Sequence, residues 1–315
     1  MHSRPVPAFP SPSECRVSHG PVRGLVRPRA RRLHGILWLA SYPKSGNTWM
    51  RVFLANHFRG GDRPVPINRL PDYAIGDNFR IHYERVSGRP AATIGEEEAR
   101  RLRPLVHHWF AVARGETAIV KTHSLLGEVD GAPLITPEVT AGVLYIVRNP
   151  LDVAVSFAHH YQTDYERAVE ALCRPGNFLP PSDRLLAQYI GSWSEHVRSW
   201  TETPGLRRLV VRYEDMLQRP VRTFEQVVRF LGLPEAPARL RRAIRFSSFE
   251  QLRAQEQREG FVEARPDRRV PFFRSGRRGV WRRVLTREQV ARIVDAHGPV
   301  MRRFGYLDDR GRPRA

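Results

Sequence analysis

Short apolar runs alternate with amphipathic segments along most of this chain. The first run, residues 36–40, is uniformly apolar, and residues 49–58 then place apolar side chains at helical spacing. Further strands are predicted at residues 117–124, where the strand ends in polar groups, and at residues 143–148, and a strand and turn at residues 208–216. Uniformly apolar strands are typical of parallel sheets that are covered on both faces. The pattern therefore predicts a single α/β domain, with a P-loop-like parallel sheet flanked by helices on both faces.

Four further segments have the spacing or the end signals of helices. They are residues 94–102, 150–161, 185–200 and 220–232. The second begins with the best signal, because Asn149 is placed to cap it and proline takes the first helical position.

The turn between the first strand and the first helix contains proline and glycine. Such a turn directs free backbone N–H groups and the helix dipole towards an anion. It differs from the usual P-loop, G-x-x-x-x-G-K-[ST]. With Gly46 as the second glycine, Ser41 replaces the first and Asn47 replaces the lysine, while Thr48 is retained and Lys44 comes earlier. The sequence indicates a phosphate site and disfavours a metal–nucleotide kinase, although spacing alone leaves an ordinary βα turn open.

Composition adds weight to two positions. The 315 residues include 52 Lys+Arg and carry a formal charge of +20, which indicates anionic partners. Only Lys44 and Lys121 are lysines, and all other basic residues of this count are arginine. Lysine is a compact point charge, whereas arginine is a planar fork. A site that must stabilise negative charge as it develops on one leaving oxygen favours lysine.

Polar side chains follow the later strands where those strands end. Lys121 and His123 end one strand, and a histidine with a pKa near neutrality can act as a general base. Arg148 ends the next strand, with Ser156 two turns along the following helix, and this pair can bind a phosphate monoester. The alternatives are a solvated histidine at a strand tip and an ion pair between Arg148 and Asp152.

Three segments together resemble the PAPS-dependent sulfotransferase family, in its cytosolic and bacterial forms. Residues 41–49 resemble its 5′-phosphosulfate loop, residues 121–123 its catalytic histidine segment, and residues 145–156 its 3′-phosphate strand and helix. Their order and spacing agree with the family, and the resemblance covers roughly residues 35–307. It implies one sulfotransferase-like α/β domain over residues 35–310.

The resemblance implies an enzyme that moves a sulfonate group in line from PAPS to a hydroxyl or amine, releasing PAP without a metal ion. His123 would be the general base, Lys44 would follow charge onto the leaving oxygen, and Lys121 would stabilise the transferring sulfonate. The implied nucleotide-binding residues are Lys44, Ser45, Gly46, Asn47, Thr48, Trp49, Arg148, Ser156, Tyr213, Ser247, Arg274, Ser275 and Gly276.

Residues 272–281 resemble the family's C-terminal glycine motif, which closes over the nucleotide. Two positions depart from it, because Ser275 stands where many members have lysine and Val280 where many have an acid. Arg277 and Arg278 are candidates to replace the missing lysine.

Three other functions stay open at the level of sequence. A P-loop kinase or NTPase would bind ATP with Mg²⁺. A nucleic-acid-binding protein would use the net charge and show steep salt dependence. A catalytically inactive module would bind the nucleotide and transfer nothing.

Residues 1–34 contain six prolines, seven arginines and one acid, and are expected to form a disordered basic tail. The chain has only Cys15 and Cys173, so no disulfide framework is expected, and a cytoplasmic location is predicted. No apolar run approaches the length of a membrane span.

The acceptor is predicted to be a small molecule, glycan or lipid, and no nucleic acid is expected. Its pocket is expected to involve residues 59–115, 162–185 and 250–270, of which residues 62–78 are rich in loop signals.

Overall fold

A computed structural model describes residues 17–18, 35–113, 117–264 and 270–314. The disordered tail predicted for residues 1–34 lies outside the described residues, except for the short strand Val17–Ser18.

The described chain alternates strands and helices. Its strands are β1 Val17–Ser18, β2 Gly35–Ser41, β3 Ile75–Gly76, β4 Thr117–Thr122, β5 Glu128–Val129, β6 Ala132–Pro133, β7 Thr140–Val147, β8 Phe178–Leu179, β9 Gln188–Tyr189 and β10 Arg208–Arg212. Its α-helices are α1 Asn47–Arg59, α2 Arg80–Ser87, α3 Glu96–Ala113, α4 Pro150–Tyr161, α5 Tyr165–Cys173, α6 Trp193–Glu202, α7 Tyr213–Gln218, α8 Pro220–Phe230, α9 Pro237–Phe246, α10 Phe249–Glu259 and α11 Arg287–Arg303.

Five strands form the central sheet, in the order β10-β7-β2-β4-β3. Every neighbouring pair in this sheet is parallel. The carboxyl ends of β2, β4 and β7 therefore lie along one edge, which is where open α/β sheets bind ligands. Two small antiparallel sheets, β1-β5-β6 and β8-β9, lie outside the central one.

Side chains of the central strands alternate between two apolar cores. In β2, Trp38 belongs to the core covered by α3, α4, α5, α6 and α11, and its neighbours Leu37 and Leu39 belong to the core covered by α1, α7, α8 and α9. This alternation follows from the two-residue period of a strand. Because both faces are covered, the middle residues of the central strands are apolar, and the predicted α/β fold is confirmed.

A third apolar cluster joins α1 to the later part of the chain. Val52 and Ala55 of α1 pack with Leu252 of α10 and with Phe261 and Phe273. This cluster brings the C-terminal third of the chain against the helix that begins at the predicted phosphate loop.

The predicted elements agree with the structure where the signals are local. The helix predicted at residues 150–161 is α4, and Asn149 caps it by accepting a hydrogen bond from the Leu151 N–H at 3.1 Å. The helix predicted at residues 220–232 corresponds to α8. The helix predicted from residue 94 is present but continues as α3 to Ala113.

One helix prediction was wrong in part. The helix predicted at residues 185–200 starts only at Trp193, because Gly191 has a left-handed φ of 59° and Ser192 then caps α6. The strand and turn predicted at residues 208–216 correspond to β10 and to the start of α7. The loop predicted at residues 62–78 also contains the edge strand β3.

Replacing Phe53 by alanine is expected to lower the free energy of unfolding by about 3–5 kcal/mol, because Phe53 is fully buried and its ring lies 4.0 Å from that of Phe224. Phe58 lies on the same helix but is 37% exposed. Phe58→Ala is therefore expected to change stability by no more than about 0.5 kcal/mol. Denaturant unfolding of both variants checks this, and equal losses would contradict the assigned packing of α1.

Candidate active site

The loop between β2 and α1 has an unusual backbone. Lys44 has a φ of 68° and Gly46 a φ of 108°, both in the left-handed region. A Cβ atom on Gly46 would lie 2.7 Å from the ring of Tyr213, so only glycine fits there. Strain of this kind at Lys44 is typical of a functional loop. No side chain caps α1, so its first N–H groups remain available to an anion.

Asn47 fastens this loop to the strand before it. Its side-chain amide donates to the Leu39 carbonyl at 3.0 Å and lies 3.3 Å from the Ser41 hydroxyl. The side chain that stands in the P-loop lysine position thus binds strand β2 and is not available to a ligand. Asn47 can still offer a nucleotide its backbone N–H. The side chain of Ser45 is also buried, but its hydroxyl has no hydrogen-bond partner among the described residues.

His123 follows β4 and is held by the end of β2. Its Nδ1 lies 2.7 Å from the Ser41 carbonyl oxygen and 3.3 Å from the Ser41 hydroxyl. A carbonyl can only accept, so Nδ1 carries the proton and Nε2 keeps its lone pair. Burial, together with nearby Lys121, lowers the pKa of His123 well below its usual value. The ring is therefore neutral, and its Nε2 is unprotonated and able to accept a proton.

The two lysines lie in the same cleft as this histidine. The Lys44 ammonium stands 4.2 Å from the centre of the Phe272 ring, a cation–π distance. Burial lowers the pKa of Lys121 to about 8, with a further contribution from Arg51, while Asp77 and Glu263 oppose the shift. Lys121 therefore loses its positive charge at a lower pH than an ordinary lysine does.

An ion pair that the sequence did not reveal lies on the cleft wall. Arg51 of α1 donates to both carboxylate oxygens of Glu263, at 2.7 and 2.5 Å, and Arg51 is only 4% exposed. Burial raises the pKa of Glu263, but Arg51 and Lys121 lower it by more, so Glu263 is ionised. The two partners are 212 positions apart, and no local pattern predicts such a pair.

Arg148 does not pair with Asp152, which was the alternative that the sequence left open. Its guanidinium donates to the carbonyls of Lys44 at 2.9 Å and Arg277 at 3.2 Å, and it lies over the Tyr213 ring at 4.2 Å. Its Nε is buried without a hydrogen-bond partner. Arg148 thus connects the phosphate loop to the C-terminal glycine segment.

Asp152 instead holds that glycine segment from the first turn of α4. Its carboxylate accepts from the backbone N–H of Gly279 at 2.6 Å and of Trp281 at 3.2 Å. At the other end of the segment, Glu256 of α10 accepts from the N–H groups of Phe272 and Phe273. Sequence reasoning missed these contacts of both carboxylates, since the partners are backbone groups, which carry no side-chain signal.

The remaining predicted residues lie around the same space. Gly276 has a φ of 59°, and a Cβ there would lie 2.5 Å from the Phe249 ring. Burial lowers the pKa of Arg274, and Arg148 adds to this effect. Ser247 lines the cleft, but its hydroxyl already donates to the Ile244 carbonyl at 3.0 Å.

One cavity of about 2150 Å³ brings these groups together. Apart from Ser45, every predicted site residue lines it, namely Lys44, Gly46, Asn47, Thr48, Trp49, Lys121, His123, Arg148, Ser156, Tyr213, Ser247, Arg274, Ser275 and Gly276. Val280 lines it as well, whereas Arg277 and Arg278, the candidates to replace a lysine at Ser275, line an adjoining groove.

Residues from all three predicted acceptor loops reach the cavity. Phe79 and Trp109 come from the first loop, Leu179 from the second and Val262 from the third. Among the described residues, no group of three or more His, Cys, Asp or Glu side chains is arranged to hold a metal ion. No helix in the described part of the chain has the length and apolarity to cross a membrane.

Comparison with known proteins gives the family. Residues 35–305 match the model of the sulfotransferase domain. The chain belongs to the sulfotransferase domain family. Sulfotransferase 1A1 of Mus musculus is 28% identical over 274 residues, covering 82% of this chain and 81% of that protein. Sulfotransferase 1B1 of the same species is 26% identical over 266 residues, covering 81% and 79%. This chain is thus a transferase by its family.

Solved structures agree with the fold of this sulfotransferase. Mouse sulfotransferase SULT7A1 complexed with PAP superposes with a TM-score of 0.56 at 22% identity, covering 90% of this chain and 88% of that one. Retinol dehydratase in complex with androsterone and the inactive cofactor PAP gives a TM-score of 0.57 at 19% identity, covering 86% and 82%.

Gly46→Ala is expected to weaken binding of PAP at least roughly tenfold, because the methyl group meets Tyr213 and the loop backbone must shift. Gly88→Ala is the matched control, since Gly88 also has a positive φ, of 70°, but nothing lies within 4 Å of its Cβ position. Calorimetric titration with PAP compares the two variants. Unchanged affinity in Gly46→Ala would show that the loop does not hold the nucleotide.

Proposed function

We propose that this PAPS-dependent sulfotransferase transfers the sulfonate group of PAPS to the hydroxyl, or the amine, of a small and largely apolar acceptor. The observation that carries the proposal is the state of His123, which is a neutral base with its tautomer set by the Ser41 carbonyl. It shares one cleft with the phosphate loop and with Lys44 and Lys121. A base, an anion cradle and two point charges are the groups that sulfonate transfer needs.

In the proposed reaction, Nε2 of His123 takes the acceptor proton as the acceptor oxygen attacks sulfur. The new S–O bond forms in line with the bond that breaks, which joins sulfur to the bridging oxygen of the 5′ phosphate. Lys44 stabilises the negative charge that develops on that oxygen, and Lys121 stabilises the sulfonate group while it is transferred. The chemistry depends on positioning and electrostatics, as in phosphoryl transfer.

The nucleotide is proposed to lie along the loop and the glycine segment. Backbone N–H groups of residues 45–48 would hold the 5′ phosphate at the start of α1. Arg148, Ser156 and Arg274 would bind the 3′ phosphate, which distinguishes PAPS from ATP. Burial of the Arg148 Nε without a partner supports this assignment, because an unsatisfied buried donor is rare.

The acceptor class follows from the rest of the cavity. The apolar side chains that line it include Ile75, Phe79, Ile81, Trp109, Phe157, Leu179, Leu185 and Leu186. Apolar and aromatic walls with few polar groups are typical of small-molecule pockets. They favour a lipid-like or aromatic alcohol, and polar side chains that also line the cavity, among them Asn78, Arg85 and Gln188, are near enough to its apolar walls to bind a few hydroxyls.

The kinase alternative lacks a supporting observation. Asn47 stands in the lysine position of the usual P-loop, and its amide is committed to the Leu39 carbonyl. A cytoplasmic location and the absence of a nucleic-acid partner stay predictions of the proposal.

His123→Ala is expected to abolish sulfonate transfer while leaving PAP affinity nearly unchanged, because the base is removed and the phosphate contacts remain. Transfer is measured with labelled PAPS and a panel of hydroxyl-bearing acceptors. Calorimetry without metal, using PAP and ADP, gives the affinities.

The wild-type protein is expected to bind PAP much more tightly than ADP. Full transfer activity in His123→Ala would remove His123 from the role of base. Preference for ADP with a requirement for Mg²⁺ would instead favour the kinase.

The value of kcat/KM for PAPS is expected to fall as the pH rises through about 8. An ammonium is charged below its pKa, and the pKa of Lys121 is lowered from 10.5 to about 8, so its charge is lost in that range. No loss is expected between pH 8 and pH 6.5, since the pKa of His123 lies well below its usual value.

Lys121→Arg is the matched control for this pH profile. Arginine keeps its charge, so the alkaline fall should disappear even if the absolute rate is lower. An identical alkaline fall in Lys121→Arg would assign the titration to another group.

A further inference from the structure

Helix α6 holds the backbone that follows the candidate base. Three of its side chains, those of His196, Ser199 and Trp200, each bind a backbone group of residues 123–126. We call these three side chains the α6 clamp. His196 Nε2 lies 3.0 Å from the His123 carbonyl oxygen, and the Trp200 indole donates to the Ser124 carbonyl at 3.0 Å. The Ser199 hydroxyl accepts from the Leu126 N–H at 3.0 Å. These residues lie three and four positions apart, so they share one face of α6.

His196 is the member of the clamp that contacts His123 itself. Its partner is a carbonyl, so Nε2 must carry the proton, and Nδ1 then accepts from the Tyr145 hydroxyl at 2.8 Å. Both His196 and Tyr145 are fully buried. Burial lowers the pKa of His196 to about 3, so the ring stays neutral and keeps this arrangement. The edge of the His196 ring also packs against Tyr42 of the phosphate loop, at 5.5 Å between ring centres.

We propose that His196 is a positioning residue for sulfonate transfer, which fixes the backbone of His123 so that the ring of His123 stays bonded to the Ser41 carbonyl. The inference rests on the proposed function, because it assigns a role in that reaction. His123 is then held twice, at its own carbonyl by His196 and at its Nδ1 by Ser41. Without the contact to His196, the His123 ring can leave the Ser41 carbonyl, and Nε2 is then no longer directed at the acceptor.

The test compares His196→Gln with His196→Asn. Glutamine carries an amide nitrogen the same number of bonds from Cα as Nε2 of histidine, so it can still donate to the His123 carbonyl, whereas asparagine is one bond shorter. His196→Asn is expected to lower kcat roughly 10- to 100-fold, the scale of a misplacement of about 1 Å. The KM for PAPS and the affinity for PAP should stay near wild type, and His196→Gln should recover most of kcat.

Ser194→Ala controls for loss of stability alone. Ser194 lies on the same helix and its hydroxyl is 2.9 Å from Nδ1 of buried His297, so its removal also costs a buried polar contact. It is expected to lower the melting temperature without changing kcat. If kcat falls in step with the melting temperature in all three variants, His196 is structural only and the proposal is overturned.

A second readout does not depend on catalysis. The ¹⁵N shifts of the His123 ring, assigned by their loss in His123→Gln, report which nitrogen is protonated. Wild type and His196→Gln should show one tautomer with the proton on Nδ1, and His196→Asn a mixture. One tautomer in all three proteins would overturn the proposal. If the wild type transfers no sulfonate, the proposed function fails, while these shifts still decide whether His196 holds His123.

Discussion

The hydrogen bond from Nδ1 of His123 to the Ser41 carbonyl is the contact on which the site depends. It joins the carboxyl ends of β2 and β4, which are adjacent and parallel in the sheet. The same strand end, β2, continues into the phosphate loop. A shift of one residue in the pairing of these strands would turn His123 to the other face of the sheet. The buried pairing of β2 and β4 therefore sets the distance between the candidate base and the phosphate loop.

Positive charge is concentrated in the cleft, and the fold supplies little to balance it. Burial lowers the pKa of Lys121 and of Arg274, with additional lowering by Arg51 and Arg148 respectively. Glu263 is the carboxylate paired with Arg51, and it moderates the effect at Lys121. Such a site favours a multiply charged anion, because the anion supplies the missing negative charge on binding. A donor with phosphates at both the 3′ and 5′ positions meets this requirement better than a neutral ligand would.

Most of the cleft could be predicted from the sequence because its residues lie in contiguous segments at strand ends. The loop around Gly46, the candidate base His123 and the arginine Arg148 each follow an apolar run, and parallel pairing brings such ends together. The supporting residues could not be predicted, since each acts on a distant partner. Asp152 binds backbone groups more than a hundred positions away. His196 was placed in a helix whose start was wrong, and its backbone partner carries no signal in the sequence.

The two lysines illustrate what composition can and cannot say. In a chain with 52 Lys+Arg, of which only Lys44 and Lys121 are lysine, both lysines line the same cleft. A guanidinium is rigid and keeps its charge at any working pH, whereas an ammonium can move with a developing charge and can change its pKa. Lys44 reaches the cleft from a residue with a left-handed backbone, and its carbonyl is held by Arg148. In the proposed reaction, a flexible point charge on a fixed backbone would follow the leaving oxygen, while the planar fork of arginine would hold the stationary 3′ phosphate. Under this proposal, lysine serves the phosphate that gains charge during the reaction, and arginine serves the phosphate whose charge stays constant.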